Sequence, residues 1–345
     1  MKKIRNTQEI RQFLLSNIDS KNLVSDTVSK FGITRAAVYR HLKQLTEQNI
    51  IQHNDAPKGR RYRLIAQEYR FSYDITDGLS ESAVWSTDIA PLVPKQDNIS
   101  RIWEHGFTEM FNNAIDHSQG TKINVLVQVD AVNTTIIISD NGIGIFRNIK
   151  NRFNLQNERE ALLELSKGKL TTDRKKHSGE GIFFTSRIFD IFIILSYGIS
   201  FSHNDNARSY QDIFIEQKLD SANDCDGTSV LMRLSNNSKR KLLDVFNTFS
   251  VDDEYSFDKT LIPIELARYG DDNLISRSQA KRVMARIDLF KSVILDFKDV
   301  PYIGQAFADE IFRVFANEHP DIEILVLNAN EEVAKMISRA KNVRL

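Results

Sequence analysis

The chain has 345 residues, 41% hydrophobic and 27% charged, with 46 Lys/Arg balanced by 46 Asp/Glu and one cysteine. That length exceeds one compact domain and predicts two or three, while a lone Cys225 with no motif around it excludes a disulfide framework. No apolar leader stands at the N-terminus, and Ser186, Arg187 and Asp190 interrupt the apolar stretch 182–195, so a cytoplasmic protein without a membrane span is expected.

Charge is unevenly placed: residues 1–70 hold fourteen Lys/Arg and six Asp/Glu, which predicts a polyanionic partner for this part. Ile10, Phe13, Leu14 and Ile18 recur at helical spacing over 7–18, and Val24, Val28 and Phe31 continue the stripe in a second short helix that Gly32 can end. Thr34 is suited to cap a third helix, 35–49, with Val38, Leu42 and Leu45 inward and Arg35, Tyr39, Arg40 and Lys43 on the other face. Ile50 and Ile51, a turn at 55–59 and Arg60-Arg61-Tyr62-Arg63-Leu64 read as a β-hairpin with a basic tip. Residues 1–67 thus resemble a winged helix-turn-helix domain. The resemblance implies double-stranded DNA as partner, with the basic helix face in a major groove and Arg60, Arg61 and Arg63 on phosphate or a minor groove. Docking onto protein is the other use of that fold.

Residues 68–98 lack clear periodicity and read as a packed connector that Trp85 and Leu92 anchor onto a neighbour. Farther on, Glu109 and Asn113 stand four apart, hence on one face of a helix, where the carboxylate could orient water and the amide oxygen could sit on Mg2+. Asp140-Asn141-Gly142-Ile143-Gly144 follows the apolar run 135–139. A carboxylate at a strand end can accept from an exocyclic amine such as that of adenine, and glycines let backbone approach a flat ligand. Farther on stands Gly179-Glu180-Gly181. Any one of these glycine pairs alone would be read as a turn or a helix cap.

Taken in order, Glu109-x-x-x-Asn113-Ala114, Asp140-x-Gly142-x-Gly144, Gly179-Glu180-Gly181 and Gly227-Thr228 resemble the four boxes of the GHKL ATP-binding superfamily over residues 99–235. That superfamily includes gyrases, heat-shock chaperones, mismatch-repair ATPases, histidine kinases and anti-sigma-factor kinases. The resemblance implies a Bergerat-type α/β sandwich that binds ATP and Mg2+. Asn113 would be a metal ligand beside the triphosphate, and Asp140 would recognise adenine. Gly142 and Gly144 would make room for the base, Gly179 and Gly181 would face phosphate oxygens, and Thr228 would donate its hydroxyl near Asp140. Glu109 would activate the attacking water, or stand near the ion without that role. The basic stretch 167–178 occupies the place of the family's ATP lid. Glu180 departs from the glycine-leucine-glycine pattern of sensor histidine kinases, and no phosphoacceptor histidine helix precedes the module.

A linker over 236–257, with a short helix near 241–249, leads to a unit at 258–345. There, strand-like segments at 261–264, 292–297 and 323–327 alternate with helical ones at 278–286, 305–316 and 331–340, which predicts a small α/β domain. Ser292-Val293-Ile294-Leu295-Asp296-Phe297 followed by Val300-Pro301-Tyr302-Ile303-Gly304-Gln305-Ala306 resembles the central strand, loop and helix of STAS domains, closer still the STAS-like domains behind GHKL modules. No serine or threonine stands where anti-sigma circuits phosphorylate that helix, so Tyr302 is expected to pack and the domain to serve as an interaction or self-association surface.

The expected fold class is therefore multidomain α+β and α/β: a winged helix, a GHKL sandwich and a STAS-like domain. The expected function is an ATP-binding, DNA-binding transcription regulator. The alternatives are an anti-sigma-type serine/threonine protein kinase and an ATP-driven dimerising ATPase.

Overall fold

The computed structural model describes residues 2–56, 59–170, 179–202, 227–250, 257–268 and 273–342. The tip of the hairpin turn, most of the basic stretch after Leu170, and Cys225 lie outside the described residues.

Three helices, α1 (Lys2–Ser16), α2 (Leu23–Phe31) and α3 (Arg35–Glu47), precede an antiparallel hairpin of β1 (Ile51–Ala56) and β2 (Gly59–Leu64). Gly32, at φ 61°, closes α2, and the Thr34 side chain accepts the Ala37 N–H at 3.2 Å to start α3. Leu14, Val38, Leu42, Leu45 and Ile51 are buried together with Tyr62, so both helical stripes and the first strand close on one small core.

The second unit is built on a six-stranded sheet in the order β3-β4-β5-β8-β6-β7. Its strands are β3 (Gln67–Asp74), β4 (Lys122–Val129), β5 (Asn133–Asp140), β6 (Ile191–Ser196), β7 (Ile199–Ser202) and β8 (Ser229–Ser235), and every neighbouring pair is antiparallel. Side chains alternate across the pleat. Val125, Val127, Ile136, Ile138, Ile194 and Met232 therefore face the helical layer, whereas Leu126, Ile137, Leu231 and Ile193, paired in register across four strands, are buried on the opposite face.

Across the helical layer runs α5 (Asp97–His117), whose Trp103, Phe107 and Phe111 are fully buried at the 3.6-residue period. The layer also contains α6 (Ile145–Phe153), α7 (Glu158–Lys167) and α8 (Gly181–Ile188). Residues 68–98 are more than a connector. Tyr69, Phe71 and Tyr73 alternate along β3 at the sheet edge, and the short helix α4 (Glu81–Val84) continues through a π stretch, Trp85–Ile89, that seats Trp85 5.8 Å from the Phe107 ring.

The C-terminal unit carries a three-stranded parallel sheet, β11-β10-β9, from β9 (Lys259–Pro263), β10 (Ser292–Asp296) and β11 (Glu323–Leu327). Helix Arg277–Met284 starts on a capping box in which Ser276 and Gln279 satisfy each other's backbone N–H. The helix beginning Gln305–Asp309 passes through a π stretch at Glu310–Phe315, and Glu331–Asn342 closes the unit. Tyr302 is 39% exposed and so is not the packing residue its sequence position suggested. No helix among the described residues is long and apolar enough to cross a membrane.

Candidate functional site

Between α5, the β5–α6 loop, α6 and the start of α8 lies a cavity of about 270 Å³. Glu109, Asn113, Asp140, Gly179, Gly181 and Thr228 all line it, so six of the eight residues expected of a nucleotide pocket converge on one concavity. Helical spacing brings Glu109 and Asn113 to it from one face of α5. Apolar walls come from Ile138, Ile145, Ile194 and Val230, the composition expected for a small-molecule cleft with a few placed polar groups.

Asp140 ends β5 with only 9% of its surface exposed. Its Oδ1 accepts the backbone N–H of Gly142 at 2.9 Å and of Thr228 at 3.2 Å, while Oδ2 takes no hydrogen bond among the described residues. Burial pushes the carboxyl up to about 6, against the two N–H donors, which pull it down. One oxygen is thus committed to holding the loop, and the other is an acceptor with no donor among the described residues. Thr228 Oγ1 accepts the Ile145 N–H at 2.9 Å, which leaves its own proton available to donate.

Gly142 and Gly144 do not line the cavity; they shape the loop behind it. A Cβ on Gly142 would collide with the Ser118 carbonyl, the same carbonyl that accepts the Ile143 N–H at 2.9 Å, so the loop is pressed against the end of α5. Close approach also governs Gly181, where a Cβ would fall on the Glu109 carboxylate. The first turn of α8 therefore abuts Glu109 across the cavity mouth. Because α8 begins at Gly181, its unpaired N–H groups and the positive end of its dipole favour an anion there.

Among the described residues no three His, Cys, Asp or Glu gather as a metal site. A cation here would depend on Asn113 together with ligand and water oxygens, a donor set that suits Mg2+.

Several residues of the site were not singled out in the sequence. Asn148, 6% exposed, donates to the His117 carbonyl at 2.7 Å and accepts from Arg152 Nε at 3.2 Å, tying α6 to the end of α5. Its signal was a polar side chain beside Ile145 and Ile149 on an otherwise apolar helix face. Phe183, which also lines the cavity, had no such signal.

The basic stretch departs from the expected arrangement. Lys167 is 1% exposed and turned away from the cavity, bonded to Glu164 Oε1 at 2.7 Å and to the carbonyls of Arg282 and Ala285 at 2.9 Å each. Lys169 Nζ donates to the Leu289 carbonyl at 2.8 Å. Both face the C-terminal unit because its carbonyls and Glu164 can replace the water these ammonium groups lose. Residues 171–178, the rest of the expected lid, lie outside the described residues.

In the N-terminal unit Arg35, Tyr39, Arg40, Lys43, Arg60, Arg61 and Arg63 are all exposed. Arg35, Tyr39 and Lys43 follow one another at four-residue steps along α3, and Lys43 is 3.7 Å from Glu47, which partly offsets its charge.

Residues 279–334 match a protein family described as the STAS-like domain of unknown function (DUF4325). The C-terminal unit is therefore a STAS-like domain. No match to the chain was found among curated proteins.

Asp140 yields a pH-dependent test. Its carboxyl titrates higher in the folded protein than in the unfolded chain, so ionisation costs stability: the cost is absent below about pH 4, grows as pH rises through about 6, and then levels at roughly 3 kcal/mol. Asn at this position keeps an oxygen for both backbone donors and carries no charge. Asp140→Asn should therefore melt several degrees above the unsubstituted protein at pH 8, with the advantage holding down to just above pH 6 and shrinking only as pH falls from there towards 4. A pH-independent difference in melting temperature would contradict this.

Proposed function

We propose that the chain is an ATP-responsive regulator that binds double-stranded DNA, in which a GHKL-type nucleotide pocket governs a winged helix and a STAS-like interaction domain. The observation that carries the nucleotide reading is the Asp140 carboxylate at the cavity wall, with Oδ1 occupied by two backbone N–H groups and Oδ2 without a donor among the described residues. Adenine's exocyclic amine is a donor that matches Oδ2, and the Thr228 hydroxyl beside it can serve a ring nitrogen. Ile138, Ile145, Ile194 and Val230 would exclude water around the base. The phosphates would extend towards Asn113 and the N-terminus of α8, and Mg2+ held by Asn113 and phosphate oxygens would neutralise their charge.

The DNA reading rests on the exposed face of α3 beside a basic hairpin in a segment with eight more basic than acidic residues. ATP could control that binding only through a difference in affinity between two arrangements of the chain.

A second reading, turnover of the nucleotide, is favoured by Glu109. Its carboxylate lines the same cavity against Gly181, where it could orient water toward a terminal phosphate. Transfer to a protein hydroxyl would need an external substrate, because Gly304, Gln305 and Ala306 at the start of the STAS-like helix carry none.

Calorimetry should show Mg2+-dependent ATP binding that Asp140→Asn weakens by about 1.5–3 kcal/mol, roughly ten- to hundredfold. Unchanged affinity in the folded variant would remove the adenine assignment. Glu109→Ala should keep ATP binding and lose any hydrolysis that the unsubstituted protein shows; equal rates would exclude it as the base. Replacing Arg40, Lys43, Arg60 and Arg61 together by Ala should weaken duplex binding and flatten its salt slope by about 0.9 for each phosphate that is no longer neutralised. If the full chain binds no duplex at low salt, with or without ATP, the basic face is a protein-docking surface.

A further inference from the structure

The STAS-like domain holds two described segments that flank residues 171–178: α7 with the residues just after it, and the first turns of α8. On the N-terminal side, Lys167 Nζ donates to the carbonyls of Arg282 and Ala285, and Arg286 closes on Glu164 at 2.8 Å while its other guanidinium nitrogen donates to the Lys169 carbonyl at 3.2 Å. Arg282 pairs with Glu160 at 3.0 Å, and Thr260 donates to the Lys167 carbonyl at 2.6 Å. Arg286 sits in the left-handed region at φ 62°, a backbone position that a non-glycine residue keeps only where its surroundings hold it.

On the C-terminal side, the Phe183 ring is 4.4 Å from Phe257 and 4.8 Å from Phe249, and Phe183 and Phe184 belong to the same apolar cluster as Ile262, Val293 and Phe307. Arg187 lies over the Phe183 ring at 3.4 Å and reaches the Leu261 carbonyl at 3.5 Å. Leu170 and Gly179 join the two sides through a backbone bond of 3.2 Å. Leu165, Leu170, Gly179, Gly181 and Phe183 are also wall residues of the cavity. The cavity wall and the core of the STAS-like domain thus share side chains, with no solvent layer between them at Phe183.

We propose that the STAS-like domain holds this wall in its binding-competent arrangement, so that nucleotide binding and docking of the STAS-like domain strengthen each other. The inference rests on the nucleotide reading of the cavity. A wall that is already ordered leaves less freedom to lose when ligand binds, and what docking does for nucleotide affinity, nucleotide must do for docking. A partner that pulled the STAS-like domain away would then expel nucleotide.

The test uses the full chain, calorimetric titration with MgATP, and peptide-resolved hydrogen exchange. Arg286→Ala should bind MgATP roughly five- to twentyfold more weakly, within the usual range of coupling between sites. Without nucleotide, the same variant should exchange faster over 163–170 and 179–184. In the unsubstituted protein MgATP should slow exchange over 277–290, which is remote from the adenine side of the cavity. Should Arg286→Ala fail to fold, Arg282→Ala is read instead, because it leaves the Glu164–Lys167–Arg286 cluster intact. Equal or tighter MgATP binding by a folded variant overturns the proposal, and tighter binding would make the domain a brake. If the unsubstituted protein binds no MgATP, the nucleotide reading falls. The exchange over 163–170 and 179–184 then decides by itself whether the STAS-like domain holds the wall, and unchanged exchange rejects it.

Discussion

A carboxylate buried at the end of a strand must be given hydrogen bonds or lose its charge, and much of the central unit is arranged around that demand at Asp140. The Gly142 and Thr228 N–H groups that serve it come from two different chain segments, so satisfying one side chain joins the β5–α6 loop to β8. Thr228 then caps Ile145 at the start of α6, and α6 returns through Asn148 to the end of α5. Three elements that form the cavity are thus positioned by a chain of bonds starting at one oxygen. The second oxygen is left over. Folding alone gains nothing from it, since burial without a donor raises the carboxyl to about 6; a ligand carrying an N–H would recover that loss.

Local chemistry was the part of this architecture legible in the sequence. Thr34 as a cap and Gly32 as a stop follow from backbone rules that need no knowledge of distant residues, and they set the end of α2 and the start of α3, whose expected span of 35–49 runs two residues past Glu47. Strand β11 was placed with the bounds it has, because Glu323–Leu327 is a short apolar run between turn residues. Glu109 and Asn113 were brought to one face by helical spacing alone. Strand β3 was missed although Tyr69, Phe71 and Tyr73 alternate, because the neighbouring prolines and polar residues of 75–98 suggested irregular chain. Tyr302 was expected to pack and is exposed, since the adjacent Ile303, fully buried, fills the place beside the parallel bridge to Leu274.

What stayed invisible depended on which charges are dry. Lys167, Lys169 and Arg40 look alike as letters in basic stretches. Yet Lys167 is sealed among a carboxylate and two carbonyls, Lys169 is mostly covered against Leu289, and Arg40 stands in water on α3. Burial lowers the tendency of Lys167 to stay protonated while Glu164 restores it, so the pair persists only because both partners are enclosed together. Sequence spacing does place Glu164 and Lys167 one helical turn apart, but it cannot say that the third and fourth partners are backbone carbonyls more than a hundred residues away.

That difference also separates the ends of the chain by role. Exposed cations such as Arg35, Arg40 and Arg61 contribute little to folding, so nothing in the stability of the N-terminal unit requires them where they are. Their concentration on one helix face and one hairpin is therefore not something the fold demands. The cations facing the STAS-like domain are the opposite case, because Glu164 is buried and Arg286 and Lys167 together satisfy its charge. The first group can change partners at little cost to the fold, whereas the second cannot move without disturbing α7 and the wall it carries. Enclosed charges thus bind α7, the cavity wall and the STAS-like domain into one piece, whereas the basic face of the N-terminal unit stands in water.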